Sequence, residues 1–112
     1  MRRKKSPAYL DYIRSLPCVI CGDSTTVEAA HIRMGARRAG KRPTGMGEKS
    51  DDRWALPLCG KHHRLQHMHY ERYFWSEIAG RNHNPFYLSL ALQSVAGDAE
   101  AGEGIIRAWM EA

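Results

Sequence analysis

Leu56-Pro57-Leu58-Cys59-Gly60-Lys61-His62-His63-Arg64-Leu65-Gln66-His67 is the stretch on which the fold turns. The apolar run from Trp54 to Leu58 predicts a short strand, with Pro57 confining it to an edge or to the strand end. Cys59-x-x-His62 reads as a paired metal knuckle at a helix start. Residues 60–79 then read as one helix, with Leu65, Met68, Tyr73, Trp75 and Ile78 among its apolar positions and Gly80 closing it. Residues i and i+4 share a helix face, so His63 and His67 can grip one ion together. His62, about 100° round the axis from His63, serves the other side. One segment thus offers donors to two separate metals.

Working outward, Cys18-x-x-Cys21 supplies a second knuckle, separated from Cys59 by 37 residues. Two such pairs complete a tetrahedron, and Cys18, Cys21, Cys59 and His62 are the expected ligands of a structural zinc ion, since a Cys3His set leaves no open coordination position. Three cysteines is an odd number, and disulfide scaffolding is not expected in a reducing compartment. The competing readings are buried free thiols and a redox-active CxxC, and the latter lacks a βαβ context.

Ser6-Pro7 predicts a capped helix over about 7–16, ended by Pro17, with Tyr9, Leu10, Ile13 and Leu16 at helical spacing. Residues 18–23 read as a turn, Thr25 to Ile32 as a strand ending in His31, and 34–53 as a long Gly- and Lys/Arg-rich loop. Further helices are expected over 85–95 and 104–110. The 112 residues predict a single α+β domain: a basic arm at 1–6, a zinc-stapled core at 7–80, and a helical extension at 81–112.

The net charge of +5 is segregated. Residues 1–15 carry a net +4 and residues 33–53 a net +4, whereas residues 82–112 carry −3. Such a surface favours polyanionic partners. No apolar run approaches the roughly eighteen residues of a membrane span. The basic start leads into Pro7, Tyr9 and Asp11, not an apolar signal core, so a cytoplasmic protein is expected.

Taken together, Cys18-x-x-Cys21, Ala30-His31-Ile32 and the stretch from Leu56 to His67 resemble the HNH endonucleases of the ββα-metal (His-Me finger) fold. The likeness is greatest to small phage- and prophage-encoded members related to the RecA-dependent recombination-enhancement nucleases, and it covers roughly residues 7–80. The resemblance implies a metal-dependent DNA endonuclease or nickase in a bacterial or phage-infected cytoplasm, with a recombinase or a packaging protein as a further partner. It implies His31 as general base and His63 and His67 as ligands of a catalytic divalent ion (Mg²⁺, Mn²⁺, Ni²⁺ or Zn²⁺).

Two positions depart from the family pattern. Ala30 stands where many relatives carry a further ligand, and Trp54 stands where they carry a central Asn. Asp51 or Asp52 is the replacement for that Asn, with Asp52 taken as the catalytic one, and Glu28 is a weaker candidate. Two protein ligands alone favour a tighter-binding ion than Mg²⁺. Arg33, Arg37, Arg38, Lys41, Arg42 and Lys49 are expected to follow the DNA phosphate backbone. Tyr73, Phe74 and Trp75 are assigned to the helix core. The alternative function is a non-catalytic, zinc-stabilised DNA-binding module on the same fold.

Overall fold

A computed structural model describes residues 4–43, 50–79 and 84–111. Helix α1 (Pro7–Arg14) begins where Ser6 Oγ accepts from Tyr9 N at 3.4 Å and Pro7 occupies the first turn. Strands β1 (Val27–His31) and β2 (Ala55–Cys59) pair antiparallel, Val27 opposite Cys59 and His31 opposite Ala55. Helix α2 (Gly60–Met68) follows directly. A short helical turn, α3 (Glu71–Tyr73), runs into a π-helical turn at Phe74–Ile78, and α4 (Pro85–Ser94) and α5 (Ala99–Glu111) complete the chain. The described residues therefore form a small α+β structure with a two-stranded sheet and five helices. None of these helices is long and apolar enough to cross a membrane.

β1 starts later than Thr25 because the preceding residues belong to a turn. Asp23 Oδ1 accepts from both Thr25 N (2.9 Å) and Thr25 Oγ1 (2.7 Å), which takes the threonines out of the ladder. Pro57 is tolerated inside β2 because its carbonyl points away from β1, accepting from Val19 N at 3.0 Å, so the ladder does not need the N–H it lacks. That bond also pins the first knuckle to the outer edge of β2.

The helix expected over 60–79 is not continuous. His69 and Tyr70 are extended, and α2 stops at Met68. The break follows from Glu71, whose carboxylate accepts from Arg33 N (2.8 Å), Met34 N (3.2 Å), Gln66 Nε2 (2.8 Å) and Trp75 Nε1 (3.4 Å). Satisfying the loop after β1 turns the chain away from the α2 axis. Phe74 and Trp75 are core residues as expected, but Tyr73 is half exposed, a correction to its assignment. Gly80, expected as the helix stop, lies outside the described residues.

The core joins Ile13 of α1 and Leu16 just after it to Ile32, Leu56, Leu58, Phe74, Leu92 and Ile106. The C-terminal helices thus share the core instead of forming an appendage. α4 also holds the segment before β2. Ser89 Oγ (2.9 Å) and Gln93 Nε2 (3.0 Å) both donate to Arg53 O, and Phe86 meets Trp54 edge-on with centroids 6.3 Å apart. Trp54, at the position where the family pattern has Asn, is buried packing and not a ligand. Replacing it by Ala is expected to cost about 3–5 kcal/mol. The check is a lower urea midpoint at unchanged slope in metal-loaded protein.

Candidate metal centre and histidine site

The two knuckles converge. Gly22, at φ 79°, closes the first turn, in which Gly22 N donates to Cys18 O and Cys18 N to Asp23 O, both at 2.9 Å. His62 Nδ1 lies 3.2 Å from Cys59 Sγ and 3.7 Å from Cys18 Sγ, and Cys21 and Cys59 sulfurs are 3.8 Å apart. Ligands at 2.3 Å for sulfur and 2.0–2.1 Å for nitrogen around a tetrahedral ion would stand about 3.8 Å apart for S···S and about 3.6 Å for S···N. Among the described residues, Cys18, Cys21, Cys59 and His62 form a group of such donors all within 4.8 Å of one another. Their geometry and chemistry fit one metal ion.

The protonation states suit the same use. Burial, reinforced by Lys61, holds His62 below its ordinary value, so its ring is neutral and its nitrogen available. Burial pushes the Cys21 thiol up to about 11, with the Cys18 and Cys59 sulfurs adding to it and the Asp23 backbone opposing. A cation at the centre removes that penalty by pairing the thiolates.

At the far end of the ladder, His31 Nε2 lies 2.9 Å from Asp52 Oδ1. Asp52 is 2% exposed and His31 17%. A carboxylate only accepts, so Nε2 carries the proton and the ring's basic nitrogen is Nδ1. Asp52 is itself fixed by the root of the basic arm. Ser6 N donates to its Oδ2 at 2.7 Å, and its own N donates to Lys4 O at 3.0 Å. Asp51 instead accepts from Lys4 N at 2.8 Å, so of the two acids the structure pairs Asp52 with His31.

The α2 histidines also meet. His63 and His67 Nε2 atoms are 3.2 Å apart, and His63 Nδ1–H donates to Glu28 Oε1 at 2.6 Å. Glu28 therefore sits behind His63. Burial pulls His67 below its ordinary value, with His63 and Arg33 adding to the effect and Glu71 opposing it. Among the described residues, no third His, Cys, Asp or Glu donor joins this pair into a group of the kind the cysteines make. Ala30 is fully buried and supplies nothing.

Of the expected phosphate contacts, Arg33, Arg37, Arg38 and Arg42 are exposed. Lys41 is not. It is 5% exposed, its Nζ donates to Arg42 O at 3.2 Å, and burial lowers its pKa, with Arg42 also lowering it and Glu71 and Asp51 opposing. The Ala36–Lys41 bridge folds it inward, a correction to its expected role. Lys49 lies outside the described residues.

With this geometry in hand, comparison with known proteins shows that residues 1–92 match a family described as "Protein of unknown function (DUF968)". The chain belongs to this DUF968 family. No curated protein and no solved structure matches the chain. The DUF968 match takes in the arm root, both knuckles, His31, Asp52, the α2 histidines and most of α4, and it ends before α5.

Two residues of the site, Gln66 and Glu71, escaped the sequence reading. Gln66, buried on α2, donates to His31 O at 3.2 Å as well as to Glu71, linking helix, strand end and loop. A polar residue between two candidate ligands was the available signal, but spacing alone gives it no partner. Cys59→Ala is expected to release the metal and unfold the chain, whereas His63→Ala keeps both. Elemental analysis and far-ultraviolet circular dichroism of the two variants check this.

Proposed function

We propose that the chain is an HNH-type, metal-dependent DNA endonuclease or nickase on a ββα-metal core, with structural zinc at Cys18, Cys21, Cys59 and His62. The observation that carries this reading is the pairing of His31 with the buried Asp52 at the end of a strand whose neighbouring helix aims two histidine nitrogens at one point. The strand–loop–strand–helix order supports it.

In this mechanism His31 Nδ1 takes the proton from the water that attacks the scissile phosphate, and the bond from phosphorus to the 3′ oxygen breaks as the new one forms, the 3′ oxygen leaving and taking a proton from solvent. The buried Asp52 carboxylate stabilises the imidazolium that forms and keeps the ring oriented, as the acid does in a His–Asp pair. Ser6 N and the backbone of Lys4 keep Asp52 in place. His63 and His67 would hold one divalent ion; their 3.2 Å separation is close to the roughly 3.3 Å spanned by two imidazoles on a tetrahedral metal. That ion, when bound, supplies Lewis-acid stabilisation of charge on the phosphate. Glu28 fixes the His63 tautomer, as outer-shell carboxylates do for metal-bound histidines. Exposed Arg33, Arg37, Arg38 and Arg42 position the duplex through its phosphates.

One observation favours a second reading. The α2 pair lacks a third protein donor among the described residues, which suits a DNA-binding module without turnover. Supercoiled plasmid separates the two. Nicking is expected with Mn²⁺, Ni²⁺, Zn²⁺ or Mg²⁺, and His31→Ala and Asp52→Ala should each lower the rate by at least about 100-fold. Salt-sensitive binding without nicking under any metal would select the second reading, and nicking that survives His31→Ala would remove His31 as base.

A further inference from the structure

Gln66 lies in the interior at 6% exposure, on α2 one residue before His67 and three after His63. Its Nε2 donates to His31 O at 3.2 Å and to Glu71 Oε2 at 2.8 Å. Both partners are acceptors, so both amide hydrogens are spent there, and the opposite amide orientation would set oxygen against oxygen. Oε1 is thereby left buried, with no hydrogen-bond partner among the described residues. A buried acceptor without a partner costs stability, and an apolar side chain of the same length would avoid that cost. What the amide supplies in return is position.

The backbone after His31 shows what is positioned. The peptide unit between His31 and Ile32 is gripped at both polar groups, its carbonyl by Gln66 and its N–H by Trp54 O at 2.9 Å. Ser50 Oγ donates to Ile32 O, and Glu71 Oε1 accepts from Arg33 N at 2.8 Å and Met34 N at 3.2 Å. Glu71 is itself held by Gln66 through its other oxygen. From α2, one amide thus fixes His31 directly and Arg33 and Met34 through a carboxylate. His63 and His67 stand on the same helix, within one turn of that amide.

We propose that Gln66 is a positioning residue, which sets the place of the His31 ring relative to an ion on His63 and His67 by tying the base's backbone to the ligand helix. It is neither base nor ligand and acts through both. This deepens, and rests on, the nuclease reading, where a displacement of about 1 Å between reacting groups can cost about 100-fold in rate.

Gln66→Met keeps the length and helix preference of the side chain but removes both donors and the unpartnered oxygen. Gln66→Lys returns N–H donors for the same two acceptors. Two readouts on zinc-loaded protein test the proposal: nicking of supercoiled plasmid at saturating Mn²⁺, and amide hydrogen exchange of Arg33 and Met34 followed by NMR. In Gln66→Met, kcat is expected to fall about 100-fold at unchanged KM. The two amides should exchange about ten-fold faster. Zinc content, far-ultraviolet circular dichroism and binding of a second equivalent of Co²⁺ should stay as in the wild type. Gln66→Lys should bring both readouts most of the way back. Wild-type kcat or wild-type exchange in Gln66→Met would overturn the proposal. So would a loss confined to KM, loss of the fold or of the second Co²⁺, or a lysine variant as impaired as the methionine one. Nicking absent from the wild type would instead strike the nuclease reading, and the exchange comparison, which needs no turnover, would still decide whether Gln66 ties His31 to α2.

Discussion

The register of one antiparallel pair controls the rest of the molecule. Five residues of β1 face five of β2, and the two ends of this ladder carry the two groups of functional side chains. Cys59, a member of the Cys3His group, ends β2 opposite Val27, and His31 ends β1 opposite Ala55, the residue after the Asp52–Trp54 turn. A slip by one residue would send every side chain of a strand to the other face. Two strands alone are marginally stable, so register must come from what packs around them. The knuckle bond from Val19 N to Pro57 O works at the middle of β2 and the Ile32 N to Trp54 O bond, 2.9 Å, at the His31 end.

Two carboxylates do much of the remaining positioning, and the buried one, Asp52, illustrates why buried charge must be paired. Asp52 joins the arm root to His31, and Glu71 joins the loop after β1 to the end of α2. Each ties segments distant in sequence at a point next to a candidate catalytic or ligand histidine.

The sequence was most legible where chemistry imposes spacing. Cys18, Cys21, Cys59 and His62 come together as their two-residue spacers require, and His63 meets His67 as helical periodicity requires. It was least legible where one residue's role depends on a partner far along the chain. Nothing local distinguishes Asp51 from Asp52; only the docking of residues 4–6 does. Apolar periodicity ran through His69 and Tyr70, because Leu65, Phe74 and Trp75 all reach the core, and hid a break that Glu71 dictates through Arg33 and Met34. Lys41 looked like one more loop cation, yet the short Ala36–Lys41 bridge folds it inside. The residue pattern anticipated the strand–loop–strand–helix order but not that Trp54 would be a core anchor for α4.

The central claim is that one short segment, Cys59 to His67, serves two distinct metal sites. Titration of the metal-free chain with Co²⁺, followed by optical absorption, tests it most directly. Two equivalents should bind, the first giving thiolate-to-metal charge transfer and tetrahedral bands, the second adding no thiolate signal and disappearing in a His63→Ala/His67→Ala variant that keeps the first. A single equivalent in the wild type, or a second equivalent that persists in the double variant, would contradict the account.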